Sequence, residues 1–361
     1  MVLPRRGPSW SVSLLLGLAA CHRGPLPALT PAPAVLARIR HLRINVPKAA
    51  CPGSAFAASY DGQLDDGSFL PHRLPPELLT LASPDATPLV TGDWTPSADP
   101  LASLTRGFPI VATLRNDTTV ADTVVVAPEY SCLPRGLRFE GPEGQPGARG
   151  GDGPPITVHV GFVRTPYFPT LVVAAIQVAD AAPFYLVADA AKVMPASWLR
   201  IESVGGRGGW GVPGSPGRNG APGADGCPGQ PGEHGEVGGP GGPGGQGGRG
   251  GPITIVGPSD WPLFAVLIDA RSVGGPGGAG GGGGAGGEGG KGGVHFQAAH
   301  AVCVDGAVGP PGRRGTAGRD GPQGPAGPHL EVATVDPRDV FGADAPAILR
   351  SLVTTSGGAP R

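Results

Sequence analysis

The side chains that could do chemistry are few in this 361-residue chain, and their spacing serves no catalytic scheme. Eight histidines are scattered along it. The closest C-terminal pair, His295 and His300, shares neither a helix face nor a strand face, so both read as solvent-exposed structural residues. No Gly-x-Ser-x-Gly elbow, His-Glu-x-x-His pair or acidic calcium loop occurs. Gly-x-Gly-x-x-Gly strings abound, but they follow from composition and lack a strand–turn–helix setting. Lys291 lies in a glycine-rich run but is followed by Gly rather than the Ser or Thr that a phosphate loop needs. The sequence therefore predicts no catalytic residue, no metal ligand and no cofactor site. Net charge is −1, which gives no motive for nucleic-acid binding. The remaining reactive side chains are five cysteines: Cys21, Cys51, Cys132, Cys227 and Cys303.

The elements that must position those cysteines are dominated by glycine. The chain has 66 Gly and 45 Pro, roughly three residues in ten, a level at which an ordinary globular reading becomes suspect. The glycines are periodic. From Gly205 to Pro252 Gly opens 16 consecutive triplets, and the same period holds in Gly141–Pro155, Gly274–Val294 and Gly306–His329. A period of three is neither helical nor strand-like; it belongs to a spiral with three residues per turn and about 3.1 Å rise. One row of such a spiral is bare backbone that another chain can approach closely.

Three conformations compete for these blocks. In the first, second and fourth, Pro fills triplet positions, so they resemble collagen-like bacterial proteins, which implies a homotrimer. The third block is Gly-Gly-x throughout, with one Pro and 15 Gly in 21 residues. It is similar to the snow-flea antifreeze protein and to the glycine-rich tips of some phage adhesins. That resemblance implies a monomeric bundle of polyglycine II spirals, two bare rows on each touching neighbours while x faces out. A flexible linker is the third possibility. The monomeric bundle is favoured over the trimer, because without Pro little offsets the entropy of ordering so many glycines in a triple helix.

Between the blocks the text is β-like. Leu42, Ile44 and Val46 alternate with polar residues, and residues 109–114 and 119–126 flank Asn116-Asp117-Thr118 as a hairpin. Residues 199–204 and 267–273 lead into glycine blocks, while 156–158, 253–256 and 330–335 lead out of them. Residues 171–176 and 184–187 supply further apolar runs, and 345–352 reads as a short helix. The expected fold is mainly β: an N-terminal immunoglobulin-like β-sandwich (37–140), then a β base carrying a bundle of polyglycine II legs (141–336), with a C-terminal helix and tail (337–361).

The N-terminus supplies the address. Arg5 and Arg6 precede an apolar run from Trp10 to Ala20 that is too short to span a bilayer. It ends in Leu18-Ala19-Ala20-Cys21, which resembles the lipobox of bacterial lipoproteins. The resemblance implies cleavage of residues 1–20 and acylation of Cys21, giving a membrane partner through the lipid anchor. His22 rather than Asp follows, which points to the outer membrane. Residues 21–36 hold Pro25, Pro27, Pro31 and Pro33 and read as an extended tether. The expected protein is non-enzymatic: a lipid-anchored envelope protein acting as a structural or adhesive spacer, with envelope polysaccharide or protein as partner. A collagen-like trimeric adhesin and an ice- or polysaccharide-binding face are the alternatives.

Four cysteines remain once Cys21 is set aside, and three pairings are open to them. Two lie in the sandwich segment and two in the glycine region, which favours Cys51–Cys132 and Cys227–Cys303. Block lengths bear on the second pair. The long block has 48 residues, twice the 24 of the fourth. If it reverses near Gly226-Cys227-Pro228-Gly229, each half spans ~74 Å, and Cys227 and Cys303 meet at the far end.

Overall fold

The computed structural model describes residues 31–194, 197–296 and 303–353, and the chain is mainly β. Cys21 with its lipobox, His300 and the C-terminal tail from residue 354 lie outside the described residues. Pro33 opens a four-residue helical turn, α1 (Pro33–Leu36). The folded body begins directly after it, where Arg38 pairs with Asp65 and Asp66.

Eight strands make the N-terminal unit: β1 (Ile39–Asn45), β2 (Ala49–Ala50), β3 (Ser59–Leu64), β4 (Leu79–Ala82), β5 (Ala86–Pro88), β6 (Trp94–Pro96), β7 (Phe108–Leu114) and β8 (Asp117–Pro128). They form a four-stranded sheet in the order β2-β8-β7-β4 and two ribbons, β1-β3 and β5-β6. In β7 every second residue, Phe108, Ile110, Ala112 and Leu114, is fully buried, as a period of two requires of a strand with one face on a core. Trp94 is also fully buried, and its indole N–H donates to Tyr60 Oη, which donates to Gly92 O. A buried indole thus keeps its donor satisfied.

The second unit is a threefold repetition: a strand in, a glycine arm, a strand out. The strands are β9 (Gly136–Glu140), β10 (Ile156–Val163), β11 (Leu171–Val178), β12 (Phe184–Asp189), β13 (Leu199–Val204), β14 (Ile253–Pro258), β15 (Ile268–Val273) and β16 (Glu331–Val335). The three strands that enter arms, β9, β13 and β15, form one all-parallel sheet with β13 in the centre. The three that leave arms, β10, β14 and β16, lie parallel in a second sheet. That sheet is extended past β10 by antiparallel β11 and β12. The two sheets share one core, in which Ile156, Val158, Leu199, Ile201, Ile253 and Ile255 are buried. Apolar residues on both faces of β11 meet two cores. Val172, Ala174 and Ile176 face this one. Leu171 and Val173 join Leu101, Leu104 and Tyr130 of the N-terminal unit and Leu349 of the C-terminal helix α2 (Ala347–Leu352).

The arms fall into six glycine segments: g1 (141–147), g2 (148–155), g3 (205–226), g4 (229–252), g5 (274–294) and g6 (306–329). Within each layer, segments run parallel and are joined by one backbone bond every third residue. Gly208 N–H donates to Pro276 O and the series continues to Gly226 and Val294; Gly232 donates to Ala307 O and the series continues to Gly250 and Pro325. Between layers the segments run antiparallel. Gly248 donates to Gly206 O, Gly275 to Gly248 O and Gly324 to Gly275 O, each opening a series along its segment. The arrangement is therefore two layers, g1-g3-g5 and g2-g4-g6, each prolonging one of the two parallel sheets. Ser203 and Ser272 mark the junctions: their hydroxyls donate to Pro154 O and Gly251 O, each 2.6 Å away.

Candidate functional site

Which glycine rows lie inside follows from the neighbours each segment has. Segment g5 bonds to g3, g4 and g6, and it carries two unbroken glycine rows. A Cβ on Gly287 would fall on Arg218 O, and one on Gly286 on Gly312 O. Segment g6 lies on the outside of the stack and has a single glycine row. In g3 the second row is Gly206 and Gly209 where g1 and g2 lie over it, and becomes Val212, Ser215, Arg218 and Ala221 beyond their end. The third block's shortage of proline thus goes with a segment whose two bare rows both meet backbone of its neighbours.

The cysteines occupy two places. Cys51 and Cys132 are bonded, with Cα atoms 6.3 Å apart, and tie β2 to the loop before β9. Cys227 and Cys303 are bonded, with Cα atoms 5.1 Å apart, at the end of the layers remote from the sheets. Cys227 stands in the turn between g3 and g4, and Cys303 precedes g6. Around this second bond the backbone is pinned by two carboxylates. Asp225 accepts from Val294 N–H at 2.7 Å. Asp305 accepts from the backbone N–H of His295 at 2.9 Å and from its ring Nδ1 at 2.7 Å. The backbone amide and then the ring of His295 hold the Asp305 carboxyl below the usual carboxylate range. Val294, Phe296, Val304 and Val308 are exposed here. His295 is therefore a surface residue with a structural partner.

The open edge of g5 is covered by side chains of g6. Asp320 accepts from Gly280 N–H at 2.8 Å, Arg314 Nε donates to Gly283 O at 3.0 Å, and Gln323 Nε2 donates to Gly274 O at 3.3 Å. These contacts do for a glycine segment what charged side chains do for a β edge strand, blocking addition of another chain. Nearer the tip, the amides of Gly286, Gly289 and Gly292 have no protein partner among the described residues.

Aromatic side chains mostly serve cores. Phe162 and Trp261 meet edge to face with centroids 4.5 Å apart, and Trp198 is buried. Tyr130, buried against Ser103, is pushed up to about 12 by desolvation. Trp210 does not: it sits in g3, joins no core and is 55% exposed, as Phe296 at the tip is also exposed. Nothing in the residue types around it marked it in the sequence beyond its isolation in a glycine block. Among the described residues no group of three His, Cys, Asp or Glu side chains is placed to hold a metal ion. No helix among them is long and apolar enough to cross a membrane. Comparison with known families, curated proteins and solved structures finds no match to this chain.

Proposed function

We propose that this chain is a non-enzymatic, lipid-anchored cell-envelope protein, a stiff spacer that carries an exposed surface away from the membrane. In this reading the glycine segments are the legs of a polyglycine II bundle and the N-terminal unit is an immunoglobulin-like sandwich serving as a collar. The observation that carries the proposal is the backbone ladder. Amides at every third position find carbonyls of the same chain in both directions across the layers. A bundle satisfied in this way needs no second or third chain, which favours a monomer over a collagen-like trimer. The lipobox-like Leu18-Ala19-Ala20-Cys21 supplies the anchor. Membrane fractionation with mass spectrometry of the N-terminal peptide tests it. Acylation at Cys21 and release of Cys21→Ala to the soluble fraction are expected; unchanged fractionation of the variant defeats the proposal. Sedimentation at the mass of three chains would favour the trimeric adhesin instead.

A second reading, adsorption of a polysaccharide or of ice to a bundle face, draws on the regular outward rows of Pro, Ala and small polar residues on g3 and g5.

A further inference from the structure

Segments of the layer g1-g3-g5 hand their bonds on in one direction. The first glycine of each triplet in g1 donates to third-position carbonyls of g3, as Gly144 does to Arg207 O. The same row of g3 donates to g5, as Gly211 does to Ala279 O. In g5 that row has no further segment to meet. Gly280 N–H is taken by Asp320, and Gly283 is buried where Arg314 bonds its carbonyl. Gly286, Gly289 and Gly292 are half-buried, and their amides have no partner among the described residues.

The change along the edge comes from g6. Arg314, Asp320 and Gln323 belong to one row of g6, and Val308 and Pro311 continue that row toward the tip. A Cβ on Gly286, Gly289 or Gly292 would fall on Gly312, Gly309 or Gly306 O, which sets Val308 and Pro311 level with the three open amides. Both are exposed, and neither has a polar group to offer an amide. The result is a trough with donors along one wall and an apolar floor. Arg314 closes it toward the base, and Glu288 and Lys291 stand exposed on the outward row of g5.

We infer that this trough binds a proline-rich segment of another protein, laid parallel to g5 as one further strand of the layer. Charge does not select the occupant, since Glu288 and Lys291 are of opposite sign. Spacing does. The donors repeat every third residue, about 9.3 Å at ~3.1 Å per residue. A β-strand turns a carbonyl to one side every ~6.8 Å and falls out of step, and an α-helix uses its carbonyls internally. A polyproline II strand has the matching repeat and is ordered before it binds. Proline also has no N–H, so it leaves no donor stranded against Val308 and Pro311. Pro33, where this chain's own proline-rich stretch ends, opens into the N-terminal unit, which packs on β11. Segments g5 and g6 prolong β15 and β16, and β16 lies at the other edge of the sheet that holds β11. A second copy has open carbonyls on Pro213, Pro216 and Pro222 of g3, but in a parallel pair its g1 would fall where g5 already runs. The inference goes beyond the anchor and spacer roles and does not rest on them.

The test is fluorescence anisotropy of labelled decaproline, a nine-residue Pro-Pro-Gly repeat and an alternating Thr-Val decapeptide titrated with the full chain, with amide exchange followed by NMR. Saturable binding of both proline peptides and none of the Thr-Val peptide is expected. Exchange should slow at Gly286, Gly289 and Gly292 and stay unchanged at Gly235 of g4. Val308→Arg with Pro311→Asp, both at exposed positions, extends the polar cover to the tip and should weaken binding about tenfold or more. Val237→Ala, exposed on g4, should leave it unchanged. Binding of neither proline peptide, equal binding of the Thr-Val peptide, or undiminished binding to the doubly substituted chain overturns the inference. Concentration-dependent self-association that protects the three amides without peptide would overturn it in favour of a second copy. Anisotropy reads binding apart from anchoring, so a chain that lacks the lipid and still binds would sink the envelope assignment and leave this site standing.

Discussion

The two halves of the repeat unit are held together in opposite ways. Between the sheets, Ile156, Ile201, Ile253 and Ile255 bury side chains against one another, so order comes from apolar surface removed from water. Between the glycine layers no side chain is buried at all; the contact is backbone on backbone, with one bond per triplet. The first region asks for the right volume and forgives small changes of shape. The second asks for the absence of a Cβ and forgives nothing at its inner rows, yet leaves the outer rows free. Freedom on the outside is what lets an exposed side chain such as Trp210 stand there without cost to the fold.

The comparison can be broken at several points. Ile201 is fully buried, and Ile201→Ala should cost about 2–5 kcal/mol through lost transfer energy and a cavity. Chemical denaturation followed by circular dichroism reads this as loss of the sheets. Replacing Cys227 and Cys303 together by Ser should cost about 2–4 kcal/mol, because the bond closes a loop of 76 positions. Hydrogen exchange should then show the tip opening while the sheets stay protected; opening of the sheets first would mean that the halves are not separable.

A sharper contrast comes from two neighbours in g5. Gly287→Ala places a methyl group on Arg218 O and should destabilise by about 1–3 kcal/mol, as overpacking does. Ala285→Val, on the exposed row, should stay within about 0.5 kcal/mol. Equal effects would refute the inside–outside division of the rows. Removing the edge cover by Arg314→Ala with Asp320→Ala should cost about 1 kcal/mol per bond. It should also raise self-association in sedimentation, through the uncovered amides of g5.

The smallest effect concerns pH. The folded-state value of Asp305 is depressed, so its contribution is complete above the unfolded carboxylate value and fades as pH falls through the folded one. Exchange at the His295 amide should therefore accelerate in that acidic range, and Asp305→Asn should remove the pH dependence. Persistence of the same acid response in the variant would assign it to another carboxylate.

Much of this was legible in the residues. The strands leading into and out of the glycine blocks, the hairpin of β7 and β8 and the short C-terminal helix carry their own periodicities, and local backbone preference needs no partner to express them. The pairing of Cys51 with Cys132 and of Cys227 with Cys303 follows their division between two kinds of text. What no local pattern contains is the order of strands across the two sheets. β9, which closes the N-terminal stretch in sequence, joins β13 by hydrogen bonds formed over more than 60 positions. Nor could the triplet period say which glycines are interior. Gly206 and Gly248 occupy the same kind of row as Val212 and Glu236, and only the segments lying over them separate bare positions from decorated ones. The exposure of Trp210 belongs to the same class, since a side chain's surroundings are set by neighbours dozens of residues away. A period tells the chain how to coil; contact with other segments decides which side faces water.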